Sequence, residues 1–286
     1  MTHIHLTRRD AVATITIDRP QRFNSLDVTT AQDFRRAGLQ CARDPGVRVV
    51  VLRGLPGMFC SGADLKFIRD GAGGGDTGYL APGAVRGGYG ERFKQILEYI
   101  HSTISEIRRA PKPFVAAVDG IAGAGGFGIA MSCDLVIAST RAVFEWAYPK
   151  TGLTGAESAT FLLPRLIGLR RCMELMLLNP RIGADQAVAM GLATRVLPVD
   201  AFDAAVLDLA QGLAAGPTRA FGTAKALINQ AAGVDRLDFH LDQELQHLAR
   251  SADGDEFREG LRAFFEKRPA NFTACAQVDG GGGGHA

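Results

Sequence analysis

Hydrophobic and polar positions along this chain alternate in two distinct periods, and the places where one gives way to the other mark its elements. Val12 to Ile17 alternates with period two, as a half-buried strand does, and Arg19-Pro20 stops it. Asn24 to Asp27 offers capping side chains for a helix through Cys41. Asp44-Pro45-Gly46 is a turn, and Val47 to Leu52 is a second strand, leading into Gly54-Leu55-Pro56-Gly57. From Arg92 to Ile107 the period changes: Phe93, Ile96, Leu97, Ile100, Ile104 and Ile107 recur at helical spacing, with His101 beside the stripe and Pro111 closing it. Phe114 to Val118 is an unbroken apolar run between Pro113 and Asp119-Gly120, which suits a strand covered on both faces.

Behind that strand lie Gly123, Gly125, Gly126 and Gly128 and a short apolar helix predicted to begin near Ala124, with strand-like Leu135 to Ala138 following almost at once. Glycine lets backbone approach a ligand closely, and a helix start aims free N–H groups at it, so this point should hold negative charge. Gly123-x-Gly125-x-x-Gly128 matches a dinucleotide fingerprint literally. The short helix leaves no room for a usual crossover, however, and no acid ends the next strand. The remaining reading is an oxyanion hole, in which backbone N–H groups stabilise charge developing on a carbonyl. The second donor expected of such a hole is Ser61, in the small-residue turn Met58-Phe59-Cys60-Ser61-Gly62-Ala63-Asp64-Leu65-Lys66; the same turn also reads as an ordinary strand-to-helix connection.

Elsewhere the chain is less regular. Gly71 to Gly90 is glycine-rich and lacks helical periodicity, a loop or an active-site lid, without the Gly-Lys-Ser/Thr ending of a nucleotide P-loop. Ala142 to Gly155 reads as irregular backbone carrying Phe144, Trp146 and Tyr148, and Leu162 to Leu178 as two helices interrupted near Pro164 and Gly168. A short helix from Asp185 to Met190 closes at Gly191, and Thr194 to Leu197 is a strand. The C-terminal portion is helical, segmented at Gly216-Pro217, Gly233 and Gly254, and the Gly280 to Gly284 tail is expected to be disordered. With 286 residues at 47% hydrophobic content, the expectation is a main core over residues 1–200, a helical region over 201–272 and a tail over 273–286.

Charge and cysteine usage narrow the partners. A net charge of +2 argues against nucleic acid, and no apolar span reaches membrane length. The five cysteines, Cys41, Cys60, Cys133, Cys172 and Cys275, have neither metal nor redox spacing, so no metal site is expected and a reducing cytoplasm fits.

Several spaced motifs then agree in order. Arg19-Pro20 with Asn24-Ser25-Leu26, Phe59 through Lys66, the glycine turn ending Cys133-Asp134, and Glu259-Gly260 with Phe264 and Lys267-Arg268 together resemble the crotonase (enoyl-CoA hydratase/isomerase) superfamily from about His5 to Phe272. The resemblance implies an α/β fold, a spiral of repeated ββα units with a C-terminal helical region, assembled as trimers often paired into hexamers. It implies an acyl-CoA or aryl-CoA thioester as substrate, no cofactor beyond its CoA moiety, and a carbonyl oxygen held by the N–H groups of Ser61 and Gly125. It also carries Arg22, Ala63, Asp64, Leu65 and Lys66 to the adenine and phosphate region, with Phe264 and Lys267 approaching from the last helix. Chemically, fixed N–H dipoles stabilise a thioester enolate, and the flanking acids and bases decide the reaction.

Those flanking groups depart from the hydratase pattern, whose two glutamates fall at Gly128 and Tyr148. Three other groups are candidates. His101 aligns with the histidine base of the 4-chlorobenzoyl-CoA dehalogenase branch, which Leu169 to Pro198 also resembles. Tyr148 is a proton donor or a pocket wall. Glu157 follows Ala156, where dehalogenases carry an aspartate, and is either catalytic or a carboxylate favoured by a helix start; that helix start is expected to keep it ionised. The functional readings are an acyl-CoA isomerase, hydratase-like lyase or hydrolase, with aryl-CoA dehalogenase as a sharper subclass weakened by Ala156, or a non-catalytic acyl-CoA-binding or RNA-binding relative.

Overall fold

The computed structural model describes residues 3–71 and 88–277. The first hairpin pairs β1 (Ile4–Arg9) with β2 (Val12–Ile17), antiparallel, and α1 (Val28–Arg43) comes next. Asp27 caps α1 by accepting the Thr30 N–H at 2.9 Å, so the predicted cap is the observed one. A ββα unit then repeats. β3 (Val49–Gly54), β4 (Met58–Cys60) and α2 (Leu65–Asp70) make one copy. After α3 (Tyr89–Arg109), β5 (Phe114–Val118), β6 (Ile121–Gly123) and α4 (Gly125–Ser132) make the next, and β7 (Leu135–Ser139), β8 (Val143–Glu145) and α5 (Ala159–Ile167) the third.

Each unit places its first strand in one sheet and its second in another. The larger sheet runs β1-β2-β3-β5-β7-β10, parallel after the first hairpin; the smaller runs β4-β6-β8-β9. This is the expected spiral. The edge pieces β9 (Ile182–Gly183) and β10 (Arg195–Leu197) flank α7 (Ala184–Met190), which comes after α6 (Leu169–Leu178). α8 (Phe202–Ala215), α9 (Thr218–Ala231), α10 (Leu237–Ala252) and α11 (Asp255–Glu266) complete the C-terminal helical region. The central strand β5 is buried at every residue, as its unbroken apolar run required.

Two expectations change, and two stretches fall partly outside the described residues. The irregular stretch after Ala142 contains β8, a strand too short for periodicity to reveal, and a 3-10 turn at Tyr148–Thr151. Pro164 does not interrupt a helix; α5 carries it internally and only Gly168, at φ 79°, separates α5 from α6. Of the Gly71 to Gly90 loop with its lid reading, residues 72–87 lie outside the described residues and α3 already begins at Tyr89; of the 273–286 tail, residues 273–277 belong to a 3-10 turn at Phe272–Gln277 and 278–286 lie outside the described residues. Among the described residues no helix is long and apolar enough to cross a membrane.

α10 packs along α3, and α11 packs on the Tyr148–Thr151 turn, which brings Leu248, Phe264 and Phe265 to the cavity that Gly125 of α4 also lines. That cavity is the candidate site.

Candidate active site

The turn after β4 and the start of α4 are pressed together. A Cβ at Gly126 would stand 2.1 Å from the Cys60 carbonyl oxygen, and one at Gly62 would stand 2.9 Å from the Gly125 nitrogen, so only glycine permits this approach. Gly125 is the first residue of α4, which leaves its N–H without an acceptor inside the helix. The residue before it, Ala124, is held at φ 46°, a conformation costly for a side chain and concentrated at functional turns. Ser61 and Gly125 therefore line one cavity of about 430 Å³.

A carboxyl group faces that helix start. A Cβ on Gly125 would meet Glu157 Oε1 at 2.6 Å, so the acid lies directly over the turn predicted to hold negative charge. Tyr148 Oη donates to Glu157 Oε2, and both side chains are buried, at 5% and 3% exposure, and line the cavity. Trp146 packs edge-on against Tyr148, with ring centroids 5.3 Å apart. Burial pushes the Glu157 carboxyl up to about 8; the Tyr148 hydrogen bond opposes this and the Glu244 charge adds to it. Burial, then the Glu157 charge, pushes the Tyr148 phenol well above its ordinary range. The expectation that a helix start keeps Glu157 ionised is therefore corrected. Burial outweighs it and favours the protonated acid.

Gly128 explains where the hydratase glutamate went. A Cβ there would stand 2.4 Å from the Glu157 carbonyl oxygen and 2.8 Å from its Cβ. The backbone that carries Glu157 fills the space that a side chain at position 128 would need.

Two candidates stand away from the cavity. His101 is not among its lining residues; its Nε2 accepts the Glu157 backbone N–H at 3.2 Å, which puts the ring proton on Nδ1. Burial drives this imidazole down to about 3, so it is neutral, and its 3.8 Å approach to Glu244 is not an ion pair. Lys267 is the left-handed C-cap of α11 at φ 55°, also outside the lining set.

The other predicted binding residues share the mouth of the cavity. Arg22, Ala63, Asp64, Leu65, Lys66 and Phe264 all line it, together with Phe23. Phe23 and Phe264 are exposed, at 65% and 55%, so neither is held by core packing. The Asp64 carboxylate is fully engaged: it accepts from Arg19 Nη1 at 2.8 Å, from Arg22, and from the Lys66 and Phe67 N–H groups at the start of α2. Burial alone would raise its pKa, but the Arg22 hydrogen bond leads the effects that hold it below the usual carboxylate range. Its side chain thus builds the turn and anchors the Arg22 guanidinium. Sequence reasoning missed Phe93, Leu153, Leu248 and Phe265, which form apolar wall, and Glu145, a cavity acid paired with Lys150.

Known proteins resemble this chain over nearly its whole length. The family model for enoyl-CoA hydratase/isomerase matches residues 7–275. The chain is 30% identical to 4-chlorobenzoyl coenzyme A dehalogenase-2 of an Arthrobacter species over 99% of this chain and 97% of that protein. It is 33% identical to the 1,2-epoxyphenylacetyl-CoA isomerase of Escherichia coli over 92% of this chain and 95% of that one. The crystal structure of an enoyl-CoA hydratase from Mycobacterium avium subsp. paratuberculosis superposes with a TM-score of 0.82 at 32% identity, covering 95% of this chain and 98% of that one. With a family model spanning nearly its whole length and the ββα spiral in place, the chain belongs to the enoyl-CoA hydratase/isomerase family of the crotonase superfamily.

Proposed function

We propose that this protein transforms an acyl-CoA thioester through a stabilised enolate, with the Ser61 and Gly125 N–H groups bearing the thioester oxygen and Glu157, assisted by Tyr148, moving the proton. The observation that carries this reading is the buried Glu157 carboxyl, seated over the α4 start and hydrogen-bonded by the Tyr148 phenol. A carboxyl whose pKa lies near neutrality is a stronger base when ionised and an available acid when protonated, which suits a group that removes a proton at one carbon and returns it at another. Isomerase-type proton transfer is thus favoured over the water addition that a pair of glutamates performs. It needs no cofactor beyond the CoA of the substrate. CoA would enter past Arg22, Ala63, Leu65, Lys66 and Phe264, with Asp64 shaping that turn and Lys267 reaching it from the end of α11.

The second reading, aryl-CoA dehalogenase, is supported by similarity to the Arthrobacter protein. Displacement at an aromatic carbon needs an anionic nucleophile. Burial of Glu157, which favours its neutral form, weighs against that. The apolar residues exposed on α6, Leu169, Leu177 and Leu178, support assembly as a homotrimer or a hexamer, which sedimentation would test.

The deciding experiment is a panel of aliphatic and aryl acyl-CoAs incubated in deuterated water and followed by mass spectrometry. Hydration, hydrolysis and halide replacement each change the mass differently, while isomerisation incorporates deuterium at unchanged composition. Loss of halide would establish the second reading, and panel thioesters that bind tightly without giving any product would favour a binder.

A further inference from the structure

Glu157 and Ser158 are consecutive residues with side chains in the left-handed region, at φ 53° and φ 64°. That conformation is unfavourable for any residue with a Cβ, and two in a row persist only where the surroundings hold them. They also stand where α5 begins, and the usual device for a helix start is missing. Ser158, the N-cap, makes no capping hydrogen bond, and its Oγ is buried without a partner. The capping is done from elsewhere in the chain. Glu244, on α10, accepts the Ser158 N–H through Oε2 at 2.8 Å and the Thr160 N–H through Oε1 at 3.1 Å, and the Thr160 hydroxyl donates to it as well. His240 Nε2, also on α10, meets the same hydroxyl at 2.8 Å. On the other side, His101 takes the Glu157 N–H. Glu244 is 5% exposed and does not line the cavity, so any effect it has on the reaction passes through the strained backbone.

We infer that Glu244 is a positioning residue: by clamping the Ser158 and Thr160 N–H groups it holds the left-handed Glu157–Ser158 pair that sets the Glu157 carboxyl over Gly125. This rests on the reading of Glu157 as the proton-transfer group. A glutamine at 244 has one acceptor oxygen and cannot cap Ser158 and Thr160 through separate oxygens. Release of the clamp lets the carboxyl drift, and displacement by about 1 Å costs on the order of a hundredfold in rate.

The test uses the full-length protein and the acyl-CoA that the panel shows to be turned over. Glu244→Gln is expected to lower kcat by about 10- to 100-fold while KM stays within roughly threefold, because the thioester-binding turns are untouched. A second substitution reads the strain directly. Glycine adopts the left-handed region freely and leaves no orphaned hydroxyl, so the fold-loss caused by Glu244→Gln should shrink severalfold in the Ser158→Gly background. A clamp that only stabilises the fold would lower Tm, leave kcat intact below the melting range and gain nothing from the glycine. Unchanged kcat in Glu244→Gln, or an equal loss in both backgrounds, overturns the inference. If Glu244→Gln yields no folded protein, Glu244→Asp, which keeps both oxygens but withdraws them by one methylene, must show the kcat loss with a wild-type circular dichroism spectrum. Glu157→Gln in the same assay separates the two readings: full turnover there refutes the role of Glu157 itself, whereas a dead Glu157→Gln beside a normal Glu244→Gln refutes only the positioning.

Discussion

Glu157→Gln should make the protein inactive and, above neutral pH, more stable. The Glu157 carboxyl is raised from an ordinary 4.5 to about 8 in the folded chain, chiefly by burial. A group whose folded pKa is raised contributes stability that is fully present below its unfolded value and is lost as pH rises through the folded one. Between about pH 4.5 and pH 8 the unfolded chain has released this proton and the folded chain still holds it, so stability falls by about 1.4 kcal/mol per pH unit. Over that span the loss reaches about 5 kcal/mol. Glutamine keeps the shape, stays neutral and removes the penalty. The difference between variant and wild type should therefore be a constant offset at pH 4 and grow to several kcal/mol by pH 8.5, on the order of 10 °C in Tm for a chain of this size. Glu244, lifted by burial to about 7, titrates in the same window; it is present in both proteins, and its coupling to Glu157 enters the difference with the same sign. The assay is thermal or urea unfolding of both proteins from pH 4 to 9 at one protein concentration, which keeps any association equilibrium fixed. Parallel curves, with a difference that does not depend on pH, would refute both the burial of an acid at this site and its protonation at neutral pH.

Three other outcomes are expected. Gly125→Pro removes one of the two proposed oxyanion donors and should cost on the order of a hundredfold or more in kcat, checked by single-turnover kinetics with circular dichroism as the folding control. Gly128→Glu should not restore a hydratase: its Cβ would stand 2.4 Å from the Glu157 carbonyl oxygen, so overpacking should destabilise the chain by roughly 1–3 kcal/mol or more, read as a lowered urea midpoint without new hydration product. Free CoA should raise Tm by mass action while NAD and FAD do not, and a shift with NAD alone in differential scanning fluorimetry would reverse the reading of the glycine turn.

The fold is legible because its strands announce themselves in the pattern: Val12–Ile17 alternates, Phe114–Val118 is an unbroken run, and Asp27 and Gly168 mark helix ends that the structure keeps. The two turns of the site are legible because close backbone approach demands glycine, and Gly62 and Gly126 supply it. The chemistry between them is harder to read, because it depends on which groups satisfy which. The helix start that was expected to keep Glu157 ionised is satisfied by another carboxylate: Glu244 takes the free N–H groups of Ser158 and Thr160, and Glu157 is left to burial and to Tyr148. His101 lies on the predicted helix, but periodicity gives a face and not a partner, and the partner is a backbone N–H. Yet Glu244 does leave a trace. Leu237, Leu241, Leu245 and Leu248 recur at the spacing of a buried helical face, and Glu244 falls on that stripe between them. An acid placed among leucines on the face that packs inward must meet donors there or forfeit its burial. That face packs along α3, which carries His101, and meets the start of α5, so the donors awaiting Glu244 are the ones that position Glu157.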